Sequence, residues 1–269
     1  MSLLYNKLIE SVKTAIYESL FDDIDDIVTD NDNVSIIGDR LRGDYNYVDL
    51  GLPSGTLWCT KNLGAKTETD PGDYYQWGYT EPVKKGTRSL TYRDYTKFNP
   101  SGDGETYTKY DNEKIHYQLD NSDDAACQET CGIFKMPTVK QWKELLKYCR
   151  WEVEDMYDEK LNKDIKVYVI KSKRRGNNNF IYLPMCHMID DDGFFSADVI
   201  DWNFYGFYWT SDSNSHLRYE RIMGLDPHCR ALGFMWGFNE HNHYYKHQPC
   251  VHDYPRWLGF QIRPVRNNN

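Results

Sequence analysis

Apolar residues near the start of the chain recur at helical spacing. Tyr5, Leu8, Val12 and Ala15 stand 3, 4 and 3 positions apart, with Leu4, Ile9, Ile16 and Leu20 beside them. This predicts an amphipathic helix over residues 3 to 20 with a broad apolar stripe. Such a stripe has to be covered by its own domain, by copies of the helix, or by another protein. The run DDIDDIVTDNDN that follows is too rich in Asp and Asn for a packed element and reads as a solvated connector. Its D-x-D spacing continues into no EF-hand pattern. Helix and connector make up residues 1 to 45, and a different texture begins at about residue 46.

From there to residue 269 the pattern is one of short aromatic and β-branched runs broken by Gly, Pro and Asp. YVDLGLPSGTLWCTKNLG reads as two short strands around a Pro-Ser-Gly turn, and residues 66 to 125 as polar, turn-rich chain that packs its Tyr and Trp from loops. MPTVKQWKELLKYC predicts a helix: Thr138 is the N-cap, Gln141 completes a capping box, and Val139, Trp142, Leu146 and Cys149 form the apolar face. DIKVYVIKSK and NNFIYLPMC read as a hairpin, and GFYWTSDS, RALGFMWGF and RWLGFQIRPVR as further short strands. The expected class is α+β.

Composition narrows the function. The 22 Tyr and 8 Trp supply large contact area with few rotatable bonds, which suits recognition surfaces. A formal charge of -9 repels phosphate backbones and argues against nucleic acid as a partner. Seven cysteines without C-x-x-C spacing read as reduced thiols. No run of 18 apolar residues occurs, so no membrane insertion is expected. Lys7, Glu10, Lys13 and Glu18 interrupt the first segment, which therefore does not read as a signal peptide; the expected product is made in the cytoplasm.

Seven motifs in order, VDLGLPSGTLWCTKNLGA, PGDYYQWGYTEP, DDAACQ, FKMPTVKQWKELL, FIYLP, GFYWTSD and LGFQIRPVR, resemble a Bacteroides-type family of C-type-lectin-like domains. They span about residues 47 to 266. IFKMPT stands where that family usually has an aromatic-basic pair, and the stretch between Asp212 and Trp257 matches poorly. The resemblance extends to variable proteins of diversity-generating retroelements, phage receptor-binding proteins among them, in which adenine-directed mutagenesis rewrites codons near the C-terminus. Asn codons altered at their adenines reach His, Tyr, Asp, Cys and Arg but not Lys, Glu, Gln, Met or Trp. Residues 239 to 257, NEHNHYYKHQPCVHDYPRW, are rich in that reachable set, and six of the eight histidines lie after residue 210.

The resemblance implies a non-enzymatic binding protein with a C-type-lectin-like fold, an N-terminal helix and a variable region at about 203 to 257. The ligand it implies is a bacterial cell-surface protein or glycan, and the carrier a phage virion, with copies joined through the helix. The expected contacts, carried on loops, are Asp212, Asn214, His216, Arg218, Tyr219, His228, Arg230, Asn239, His241, His243, Tyr244, Tyr245, His247, His252, Tyr254 and Arg256. Trp202, Trp209, Trp236 and Trp257 are expected in the core. No catalytic residue, cofactor or metal is expected. Two other readings stay open. One is an undiversified structural or adhesive domain. The other is a metal binder or enzyme using the late His and Cys residues, with His241-x-His243 and His247, Cys250 or His252 as ligands, or Cys250 with His252 as a nucleophile pair. Calcium-dependent sugar binding of the animal lectin kind is rejected, since QPC lacks a second carboxylate and DWN precedes it.

Overall fold

Thr138 and Gln141 set the boundary of the longer helix. The Thr138 hydroxyl accepts from Gln141 N (3.2 Å) while Gln141 Oε1 accepts from Thr138 N (2.8 Å), so the capping box read from the sequence is present. The computed structural model describes residues 45–87, 89–103, 107–110, 117–159, 162–185, 188–189, 204–213, 228–238 and 244–267. The helix expected over residues 3 to 20 and the acidic connector lie outside them.

The described elements are strands β1 (Tyr47–Asp49) and β2 (Thr56–Cys59), helices α1 (Ala125–Glu129) and α2 (Val139–Tyr148), and strands β3 (Cys149–Asp158), β4 (Lys163–Ser172), β5 (Phe180–Pro184), β6 (Phe204–Ser213), β7 (His228–Phe238), β8 (Tyr244–Pro255) and β9 (Val265–Asn267). All named strand pairs are antiparallel, in sheets ordered β1-β2-β9, β3-β4-β5 and β6-β7-β8. With few helices beside these sheets, the class is α+β. Between β2 and α1 the chain is irregular apart from 3-10 turns at Tyr92–Asp94 and Asn121–Asp123, as the turn-rich composition implies. Among the described residues no helix is long and apolar enough to cross a membrane.

Outside the late histidine-rich stretch, three elements differ from the sequence reading. Residues 149 to 158 form β3, a full strand directly after α2 that the helical pattern obscured; its alternation shows in Trp151 and Val153, which pack on the core. Buried on α2 are Trp142 and Leu145, whereas Val139 and Leu146 are half-buried, so the inward face is rotated from the one expected. Most of RWLGFQIRPVR is extended chain bridging other segments rather than a ladder strand. Phe260 exchanges hydrogen bonds with Tyr75 (2.8 and 3.0 Å), and Gln261 exchanges them with Phe207 and Trp209 (3.2 and 3.0 Å).

Adjacent residues of β6 point into different cores, as a two-residue repeat requires. Trp209 stacks on Phe260 (ring centroids 4.2 Å apart) in a core with Tyr75, Trp77, Tyr95 and Phe98, and its Nε1 donates to Tyr75 O at 2.7 Å. Tyr208 joins Trp58, Trp142, Leu145, Ile170 and Leu183 in the second core. The sequence-based placement of Trp209 and Trp257 in the core holds, at 0% and 8% exposure.

Asp124 caps α1 from a buried position. Its Oδ1 accepts from Cys127 N at 3.1 Å and its Oδ2 from Met136 N at 2.9 Å, tying α1 to the chain that leads into α2. Burial pushes its carboxyl up to about 6, against the pull of the hydrogen bonds from the backbone of Cys127, Met136 and Ala126. A raised carboxylate means that the folded state holds the proton more tightly than the unfolded state. The contribution to stability is therefore complete below about pH 4 and is lost, by roughly 3 kcal/mol, as pH rises to about 6. Urea denaturation at intervals across pH 4 to 7 is expected to show this decline in the wild type and a flatter profile for Asp124→Asn; parallel profiles would show that Asp124 ionises alike in both states.

Candidate functional site

The sheet β6-β7-β8 carries most of the late residues singled out from the sequence. Its last strand is the unexpected part: the histidine- and tyrosine-rich run is not loop, because Tyr244–Pro255 forms β8, paired to β7 from His228↔Pro255 to Phe238↔Tyr244. A shift of register between Gly233 and Met235 interrupts the ladder. The sequence reading places these contact residues on loops. Cross-strand pairing overrides it, because RALGFMWGF offers a partner ladder on both sides of that shift.

Three of the expected contacts belong to the framework instead. Asp212 is 3% exposed; its Oδ2 accepts from the backbone N–H of Val139 at the start of α2, and its Oδ1 accepts from Gln118 Nε2 at 3.2 Å. A carboxylate there satisfies a helix donor and meets the positive end of the helix dipole. Arg256 is 1% exposed, stacked between Trp77 and Tyr107 at 5.1 and 5.3 Å, and its Nη2 donates to Tyr110 O at 3.0 Å. Tyr254 is half-buried, edge-on to Phe207 and Phe260 at 5.5 and 5.2 Å, and burial raises its phenol to about 12. The sequence marked these three by residue type. An aspartate that caps a helix and an arginine that fills an aromatic slot look the same in sequence as ones that reach into solvent.

His252 keeps its place as an exposed candidate, next to the Cys250 with which the sequence reading paired it, and the structure adds Asp253. Cys250, two residues away on the same face, is half-buried with its Sγ 2.7 Å from His252 Nε2, and Asp253 is exposed on the opposite face. Strand alternation along β8 is what puts Cys250 and His252 on one face. His228, Arg230, Tyr244, Tyr245 and His247 are positions on β7 and β8. Asn214, His216, Arg218, Tyr219, Asn239, His241 and His243 lie outside the described residues, as does Trp202.

The chemistry open to this pair is limited by its surroundings. Desolvation raises the Cys250 thiol above its ordinary value, which favours the thiol over the thiolate that nucleophilic attack requires. Among the described residues no group of three or more His, Cys, Asp or Glu side chains is placed to hold a metal ion. What the arrangement offers is a thiol, an imidazole and a carboxylate on a strand whose far end is rooted in the core. Moving from Arg256 through Tyr254 to His252, the side chains go from buried to half-buried to exposed. Comparison with protein-family models, with curated proteins and with solved structures returned no match.

Proposed function

We propose that this chain is a non-enzymatic recognition protein with a C-type-lectin-like fold, displaying the outer part of β7 and β8 to a ligand on a bacterial cell surface. The observation that carries the reading is the gradient along β8: Arg256 and Tyr254 are packed into an aromatic core while His252 and Asp253 face solvent, so contact residues can change without touching their support. Two further features support the fold assignment. The earliest and latest described strands meet in one sheet through β1-β2-β9, and the segment around Phe260 and Gln261 stitches that end of the chain to β6. A bacterial surface protein or glycan suits a paratope of His, Tyr, Asn and Asp. Carriage on a phage particle and assembly through the N-terminal segment complete the reading, and both rest on the sequence resemblance.

Fluorescently labelled protein incubated with a panel of bacterial cells is expected to bind a subset of strains. The double variant His252→Ala/Asp253→Ala is expected to bind those strains at least tenfold more weakly, with an unfolding free energy within about 1 kcal/mol of wild type, as for exposed positions. Unchanged cell binding by the double variant would remove β8 from the contact surface. Diversification is tested at the DNA level. A near-copy of the segment encoding residues 203 to 257, differing at adenines and lying beside a reverse transcriptase gene, is expected, and its absence would leave an undiversified binding domain.

A further inference from the structure

A stripe of cations runs along the outer face of α2 and continues onto the turn between β4 and β5. Lys140, Lys143 and Lys147 recur at helical spacing on the side of α2 away from the buried Trp142 and Leu145, and all three are exposed. Lys173 Nζ donates to Lys147 O at 3.1 Å, which brings the end of β4 to the last turn of the helix, and the exposed Arg174 and Arg175 follow it. The chain holds 41 acidic residues against 32 basic, yet among the described residues no carboxylate lies within ion-pair distance of any cation in this stripe. Glu144, the carboxylate of α2, is turned to Ser54, from whose N–H and hydroxyl it accepts at 2.9 and 2.5 Å.

Helix electrostatics account for part of this stripe and oppose the rest. Lys147 and Lys173 sit at the negative, C-terminal end of α2, where a cation is favoured. Lys140 stands in the first turn, where a cation is disfavoured, and Lys143 stands in the middle of the helix. Arg174 and Arg175 belong to a turn that is tied down. Ser172 Oγ donates to Leu50 O at 2.7 Å, and the Nδ2 groups of Asn177 and Asn179 donate to Asp49 O at 2.9 and 2.8 Å. Gly51 leaves room for the stem of Arg174, since a Cβ there would come within 2.6 Å of Arg174 Cδ. The cations are therefore held together on rigid elements in spite of their mutual repulsion, and such preorganisation lowers the entropic cost of binding an anion.

Size decides the partner as much as sign does. The chain as a whole carries a charge of -9, so an anion that extends beyond the stripe meets repulsion, and screening over about 8 Å confines the attraction to the stripe itself. Nucleic acid and an anionic bilayer are disfavoured on that ground. Either would also be gripped by a row of exposed rings or aliphatic side chains, whereas the exposed ring of α2 is Tyr148, 5.0 Å from Lys147 Nζ. An extended peptide suits the spacing: alternate side chains of a strand stand about 6.6 Å apart, and residues four apart on a helix, as Lys143 and Lys147 are, rise about 6 Å. We propose that the outer face of α2 and the β4-β5 turn dock an acidic, extended segment of a partner protein, with Lys143 and Lys147 pairing with alternate carboxylates and Arg174 and Arg175 holding the segment beyond the helix. The proposal is independent of the β8 surface, which lies on other elements.

Fluorescence anisotropy with the full chain tests it, the probe being a labelled peptide of alternating aspartate and serine. Binding is expected at low ionic strength and is expected to weaken as salt is raised. Lys143→Glu/Lys147→Glu is expected to weaken it by about tenfold or more. Lys84→Glu/Lys85→Glu makes the same change in net charge at exposed positions outside the stripe, and is expected to leave binding within about twofold of wild type. All four lysines are exposed, so both variants should fold, and their thermal midpoints check this. A single-stranded oligonucleotide of equal charge and vesicles of phosphatidylcholine and phosphatidylserine are expected to bind more weakly than the peptide. Absence of peptide binding, equal losses in the two variants, or tighter binding of the oligonucleotide or the vesicles overturns the proposal.

Discussion

Arg263→Met is expected to lower the unfolding free energy by at least about 4 kcal/mol, a large part of the total stability of an ordinary domain. Arg263 has no exposed surface, and its guanidinium donates to the carbonyls of Cys59, Thr60 and Tyr182 and to Asn62 Oδ1, at 2.6 to 2.9 Å. Methionine fills much of the same volume but leaves these buried acceptors without their donor, and each stranded acceptor costs about 1 to 3 kcal/mol. Arg263→Lys is expected to recover only part of the loss, because an ammonium is a point donor and cannot span four acceptors on two separate stretches of chain. Guanidinium denaturation with a common m-value checks both. A methionine variant as stable as the wild type would mean that water can replace the guanidinium.

The second large effect separates framework from contact surface. Arg256→Ala is expected to cost about 4 kcal/mol, since it removes a desolvated cation from between two aromatic rings, each contact worth up to about 2 kcal/mol, and strands the Tyr110 carbonyl. His252→Ala, four residues earlier on β8, is expected to change stability by no more than about 0.5 kcal/mol. Thermal unfolding of the two variants side by side is the check. An Arg256→Ala protein with an unaltered midpoint that nevertheless fails to bind cells would return Arg256 to the contact set from which its burial removes it.

A neighbouring network shows how the irregular region between β2 and α1 is held without regular structure. Asp123 receives Lys97 at 2.9 Å and the Tyr110 hydroxyl at 2.6 Å, and Lys109 at 2.5 Å, while the two ammonium groups also lie over Phe98 and Tyr110 at 4.9 and 4.8 Å. Desolvation opposes the Asp123 charge, but hydrogen bonds from Lys109, Tyr110 and Lys97 outweigh it and hold the carboxyl below its ordinary value. Its contribution to stability is therefore present above the ordinary carboxylate range and is lost as pH falls below it, opposite in sign to that of Asp124. The interval from pH 4 to 6 thus reports mainly on Asp124 where these two carboxylates are concerned.

Local signals in the sequence were enough wherever an interaction spans a few residues. The capping box at Thr138 and Gln141, the turn between β1 and β2, the β4-β5 hairpin and the core places of Trp209 and Trp257 depend on spacing and residue type alone, and they stand as read. Tertiary structure decided what depends on distant partners. Whether Tyr244–Pro255 becomes strand or loop turns on β7 lying alongside it; whether Asp212 caps a helix turns on Val139, 73 positions away; whether Arg256 is buried turns on Trp77 and Tyr107. A charged or aromatic side chain carries the same atoms in a core slot as on a surface, so its type states what it can do, and only the fold states which of those things it is placed to do.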